Sequence, residues 1–294
     1  MENKKTQLHP AYKLGNLLEA KAAISRRKTA LDYLKTLQLP IHEERLLSLE
    51  KEEIAISEGL IIDLAEQIKD RIPHRLYQAI HTLSKTESSG LGNMDLNNLS
   101  ILHSAIAGLI EESTVKGSTW HSLQLGRLIQ RASTLIKVIL SGIEDQHMPE
   151  NRLLTYISIQ TESPVPDTSL GTHLWNVHKV FENLLKVSKN PKSLESTLIR
   201  IGLHIESLPQ PEDLKRDFEK LRMGQNRISN DLTFVDVHEL IGDDPEDHLS
   251  RILDFFQRQH TEIDKLMSLC GDYLQVFESY VDELTEFELF DYEP

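Results

Sequence analysis

Apolar residues recur along this chain at intervals of three and four, and almost never in strict alternation. That spacing lines one face of a helix rather than one face of a strand, so the expected class is all-α. It predicts a first helix over 11–37, ended before Pro40. A second, over about 43–70, carries Leu46, Leu47, Leu49, Ile54, Ile61, Leu64 and Ile68. Pro73 suits the first turn of a third, with Leu76, Ile80 and Leu83 on one face. Residues 86–93 read as a linker of Ser, Gly, Thr and Asn. Helical spacing resumes near Asp95 and again at Ser118, a good N-cap for the segment that starts Thr119-Trp120.

Beyond Pro149 a short helix to about 161 and a loop broken by Pro164 and Pro166 lead to a helix over 169–187. Pro191 opens the next, whose Leu194, Leu198, Ile201, Ile205 and Leu208 form a single stripe. Residues 223–244 show the weakest pattern. In the last helix, Asp244-Pro245-Glu246-Asp247 supplies an N-cap, a proline at the first helical position and two acids favoured by the helix dipole. Leu249, Ile252, Phe256, Ile263, Leu266, Cys270, Tyr273, Phe277, Val281 and Leu284 then keep near-heptad spacing. Such a helix spans about 60 Å. The expected architecture is an elongated multi-helix bundle forming one domain over 1–294, with a weak internal boundary near 86–94 and an acidic tail at 286–294.

Composition adds limits. A chain of 294 residues with 39% hydrophobic and 27% charged residues is ordinary for a globular protein. Its single cysteine, Cys270, permits no intramolecular disulfide and fits a reducing compartment. The first ten residues hold no apolar run of the secretory kind, and no apolar stretch approaches the ~20 residues that cross a bilayer. A soluble, cytoplasmic protein is expected, with no membrane partner. The net charge of −14 is concentrated late: from residue 201 onward there are 8 Lys/Arg against 23 Asp/Glu. A phosphate backbone is repelled by that third of the chain, so nucleic acid is not an expected partner. From Glu278 to Pro294 seven acids and no base are interleaved with aromatics, which makes Phe287, Phe290 and Tyr292 candidates for binding a basic partner.

Candidate chemistry is sparse. Of thirteen histidines, His147 alone has the Glu-x-x-His spacing of di-iron bundles, with Glu144, and one such pair does not make a site. His178 and Glu182 read as a surface pair, and His260 as a core histidine. Neither a Gly-rich nucleotide loop nor a Gly-x-Ser-x-Gly elbow occurs. Cys270 falls on an apolar stripe, where thiols are inert. No catalytic residue, metal or cofactor is identified. Arg26-Arg27-Lys28 reads as a solvated basic face. Arg127 and Arg131, four apart in an apolar segment, need an acceptor; facing a cleft, they suit a substrate carboxylate or phosphate.

Four segments together resemble the alpha-E family, a helical family with two copies of a Leu-Gly-Arg-x-x-Glu-Arg-Ala-like motif. The second copy is Leu125-Gly126-Arg127-Leu128-Ile129-Gln130-Arg131-Ala132, led by Trp120; the first is Leu14-Gly15-Asn16-Leu17-Leu18-Glu19-Ala20. Residues 69–77, and Asn190 to Leu194 followed by 204–209, are similar to later signatures, in the family's order across roughly 10–210. The resemblance implies a helical protein found with ATP-grasp ligases, transglutaminase-like proteins and proteasome-like hydrolases. It therefore implies a partner that is an ATP-grasp ligase or related peptide-modifying protein, in ATP-dependent amide or peptide bond formation.

The motif's glutamate is Gln130 in the second copy, and both its arginines are lost from the first, at Asn16 and Ala20. Glu19 survives where the arginines do not, and Arg127 and Arg131 survive where the glutamate does not. If the copies pack across a pseudo-twofold axis, one Glu–Arg pair remains; the alternative is independent change on separate faces. Glu19, Trp120, Arg127, Gln130 and Arg131 are thus candidates for ligand or inter-repeat contact. Three functions stay open: a non-catalytic or co-catalytic subunit of an amide ligase, a pure interaction scaffold, and a self-sufficient enzyme using Arg127 and Arg131. Homo-oligomerisation is open as well.

Overall fold

The computed structural model describes residues 9–36, 58–88, 96–112, 116–144, 155, 157–158, 173–186, 190, 192–242 and 245–290. No strand occurs among them. The long helix α1 (Pro10–Thr36) is followed by α2 (Glu58–Gln67), α3 (His74–Ser88) and α4 (Leu96–Glu111). Then come α5 (Ser118–Glu144), α6 (His173–Leu185), α7 (Leu194–Glu206), α8 (Lys215–Phe234), the short α9 (Val237–Ile241) and α10 (Pro245–Phe290).

Two buried clusters organise these helices. The smaller joins Leu14 and Leu18 of α1 to Leu64 of α2, Ile80 of α3 and Ile106 of α4. The larger gathers α5, α6, α7, α8, α9 and α10 around Ile129, Leu185, Leu198, Leu221, Ile241 and Phe256. The helix α1 buries residues on all sides: Leu14 enters one cluster, Tyr12 the other, and Ala20, Ala23 and Ile24 are buried as well. A helix buried over most of its circumference belongs in an interior, and α1 lies between the two groups.

Their seam is the crossing of α1 and α5, where backbone meets backbone. A Cβ added to Gly15 would sit 2.1 Å from the Leu123 carbonyl oxygen, and one added to Gly126 would sit 2.1 Å from that of Tyr12. The relation is reciprocal, each glycine meeting the carbonyl three residues before the other. No side chain fits in that space.

The expected stripe of α7 is buried throughout, from Leu194 to Leu208, each side chain contributing roughly 1.5–3 kcal/mol. Its cap is Ser193, whose Oγ accepts from Ser196 N–H at 3.2 Å, rather than a start at Pro191. Residues 223–244, weakly patterned in sequence, belong largely to α8 and α9. Phe218, Leu221, Ile228 and Leu232 bury a narrow face of α8, and the polar remainder masks the period. Asp236 starts α9 by accepting from His238 N–H at 2.8 Å. The last helix has 46 residues, about 69 Å of length. Leu249 lies outside its buried stripe, and Phe255 beside Phe256 is buried instead.

Residues 43–57, 89–95 and His147 lie outside the described residues, and with them the start of the expected second helix, most of the expected linker and the Glu-x-x-His pair. The backbone of α10 continues through Phe290, while the side chains of Phe287 and Phe290, and Tyr292 altogether, also lie outside. Among the described residues no helix is long and apolar enough to cross a membrane.

The crossing yields a paired prediction. Gly126→Ala drives a methyl into a carbonyl and lowers unfolding free energy by about 3 kcal/mol or more. Gly108→Ala, within α4 and with nothing inside 4 Å of the added carbon, raises it by up to about 1 kcal/mol. Urea denaturation followed by circular dichroism measures both.

Candidate functional site

One turn beyond the glycines, the two crossing helices carry charge. Glu19 follows Gly15 by four residues, Arg127 follows Gly126 directly, and Arg131 comes one turn later. All three line a cavity of about 320 Å³ that α4 and α7 close from the other sides. Arg26 joins them from α1, His103 and Glu111 from α4, Lys192 from the turn before α7, and Arg200 from α7.

Glu19 is buried, and its nearest partner is on its own helix: Arg26 Nη2 donates to Glu19 Oε1 at 2.6 Å. Arg127 reaches Glu19 across the crossing only at 3.9 Å, and Glu111 at the same distance. Its close hydrogen bond is to Gln124 Oε1, at 3.2 Å. Arg200 Nη2 donates to Glu111 Oε1 at 2.5 Å, joining α7 to α4. Among the described residues Arg131 makes no hydrogen bond or ion pair. Two carboxylates are therefore shared among neighbouring guanidiniums, with cations to spare.

The charge states follow from this crowding. Burial alone raises a carboxyl, but Arg26, Arg131 and Arg127 together outweigh it and hold Glu19 below the ordinary carboxylate range. Burial likewise works on Glu111, and Arg200 with Arg127 overcomes it. Arg127 and Arg131 are lowered by burial, with Glu19 working in the other direction. Lys192 is lowered by burial and by repulsion from Arg131 and Arg26. His103 falls to about 4, through burial and then the Arg26 charge, so the imidazole is neutral near pH 7.

The expected site residues divide. Glu19, Arg127 and Arg131 come together in the cavity. Trp120 stands behind it: its Nε1–H donates to the Ile110 carbonyl at 2.6 Å, fixing the end of α4 next to Glu111. Its ring meets those of His121 and His204 edge-on. Gln130 donates to Thr134 Oγ1 at 3.2 Å on its own helix and does not line the cavity.

The basic run at 26–28 is no solvated face. Arg26 lines the cavity and Arg27 is 1% exposed. Arg26 was legible in hindsight, since seven residues after Glu19 it shares that face of the helix. Arg200 and Glu111 meet across 89 residues of sequence, and no local pattern announces such a contact.

Elsewhere, Cys270 is fully buried and burial pushes its thiol far above the ordinary range. His260 is half-buried and faces Asp264 at 3.3 Å, and His178 stacks on His238 at 4.4 Å between centroids.

The fold and this site define an all-helical protein with a cation-rich cavity at the crossing of its two central helices. The chain belongs to the Alpha-E family, described as a predicted α-helical domain with a conserved ER motif, whose model matches residues 52–269. That span holds α5 with Gln130-Arg131 and leaves out α1 with Gly15 and Glu19. No curated protein and no solved structure matches the chain.

Two outcomes test the site's electrostatics. Glu19→Gln removes the shared counter-charge from a buried cluster and costs about 3 kcal/mol in urea unfolding. The second is a pH dependence. His9, His103 and His204 are all held near 4. Their folded values lie below the unfolded value of 6.5, so stability is full above about pH 6.5 and declines as pH falls towards 4. At pH 5 the loss is on the order of 1–2 kcal/mol per histidine. Calorimetry between pH 7 and 5 measures it, and His103→Gln flattens part of the slope.

Proposed function

We propose that the chain is a binding subunit, not catalytic by itself, that holds an anionic ligand for an ATP-grasp-type amide or peptide ligase. The cavity carries the binding half of this reading. Among the described residues that line it, five cations (Arg26, Arg127, Arg131, Lys192 and Arg200) face two carboxylates, Glu19 and Glu111, a lining with three more positive than negative groups and His103 neutral. Buried guanidiniums need acceptors, and an anionic group supplies them in paired, charge-assisted hydrogen bonds. The ligase half is supported by the motifs shared with the alpha-E family. The same reading takes α1 and α5 as two copies of one unit, supported by the reciprocal approach of Gly15 and Gly126.

A scaffold role is favoured by a separate observation. Phe234 is 82% exposed and borders a groove in which four acids, Asp231, Asp236, Glu239 and Asp254, outnumber Arg251 and Arg258, a setting for a basic partner. Phe287 and Phe290 at the acidic end of α10, and Tyr292 after it in the sequence, extend that proposal to the tail.

The test is reconstitution with the ATP-grasp ligase of the same host. Adding the chain raises ligase-dependent ADP release in the presence of the acceptor, and Arg127→Gln reduces the effect at least tenfold. The purified chain alone releases no ADP. Release by the chain alone, or a ligase indifferent to it, overturns the proposal.

A further inference from the structure

We infer that the cavity between α1, α4, α5 and α7 is a phosphoryl site, taking the terminal phosphate of a small phosphorylated molecule. The inference rests on the anion-binding reading above and narrows it.

Direction is the first argument. The cationic groups do not form one fork. Arg26 enters from α1, Arg127 and Arg131 from α5, Lys192 from the turn before α7 and Arg200 from α7 itself. A carboxylate has two oxygens in one plane and is met best by a single guanidinium, side by side. The terminal oxygens of a phosphoryl group point three ways from a tetrahedral centre, which matches donors converging from separate elements. Charge is the second argument. One carboxylate offsets one of three surplus charges, whereas a phosphate ester carries about 1.5 to 2.

The third argument is which donors are already engaged. Arg26 donates to Glu19, Arg200 to Glu111 and Arg127 to Gln124. Arg131 has no such bond among the described residues. The Ser25 hydroxyl, buried and lining the same cavity, has no hydrogen-bond partner among them either. A guanidinium and a hydroxyl on facing helices are thus left to a ligand. The neutral His103 adds a donor or acceptor without another charge. At about 320 Å³ the cavity is at the small end of ligand pockets. Leu18, Ile106 and Leu128 give it an apolar wall for the remainder of a compact molecule.

The experiment is titration calorimetry on the full chain at fixed pH and matched ionic strength, with inorganic phosphate, pyrophosphate, acetate and succinate as probes. Phosphate and pyrophosphate bind, pyrophosphate at least tenfold more tightly than succinate of similar length. Arg131→Gln weakens pyrophosphate at least tenfold while the unliganded melting temperature stays level or rises, because the removed cation makes no hydrogen bond among the described residues and is repelled by Arg26 and Arg200 as well as attracted by Glu19. Should that variant fail to fold, Lys192→Gln, on an exposed turn, shows the same loss of affinity. Succinate equal to or tighter than pyrophosphate overturns the phosphoryl inference and leaves the anion-binding reading standing. No binding by any probe at millimolar concentration overturns both.

Discussion

The structure depends on one contact between backbones, the crossing of α1 and α5 at Gly15 and Gly126. Each glycine lies against the carbonyl three residues before the other, so the axes approach more closely than any pair of side chains permits. At that separation α1 shares its apolar residues with both clusters, Leu14 and Leu18 facing one and Tyr12 the other. Tyr12 also donates to the Met267 carbonyl of α10 at 3.1 Å, so the crossing is tied to the long last helix as well. Without the glycines the two groups of helices have no common seam.

The same crossing accounts for the cavity. Close approach at the glycines brings the next turn of each helix together, and those turns carry Glu19 on one side and Arg127 and Arg131 on the other. A carboxylate beside several guanidiniums in partly dry surroundings stays ionised, because losing its charge exposes each arginine to its neighbours' repulsion. The arginines in turn stay charged because Glu19 and Glu111 offset part of their burial. Such a cluster is not packed shut with apolar side chains, since the guanidiniums hold one another apart. Surplus charge in an interior departs from ordinary core packing, and it is this departure that the anion-binding proposal rests on.

Sequence and structure part at identifiable points. The helical class, the stripe of α7 and the start of α10 were legible, because each rests on spacing within one segment. The face of α8 was not, since its few apolar positions are diluted by charge. The expectation that one Glu–Arg pair would join the motif copies was framed on the motif alone. In the structure Arg26, outside the motif, is the closest partner of Glu19, and Arg127 stands at 3.9 Å. The basic run at 26–28 reads as solvated in sequence, yet Arg27 is buried and Arg26 lines the cavity, because a helix buried on most sides shows only weak periodicity.

By itself the sequence determined the all-helical class, membership in a helical family and the presence of arginines within an apolar segment. These follow from local spacing and residue type, which act over one or two turns. Only the tertiary structure decided that Glu19, Arg26, Arg127, Arg131, Lys192 and Arg200 surround one cavity, and that Gln130 and Trp120 do not line it. The reason is physical: charge adds up over a few ångströms of space, and which charges share that space is fixed by how helices far apart in the chain cross and dock.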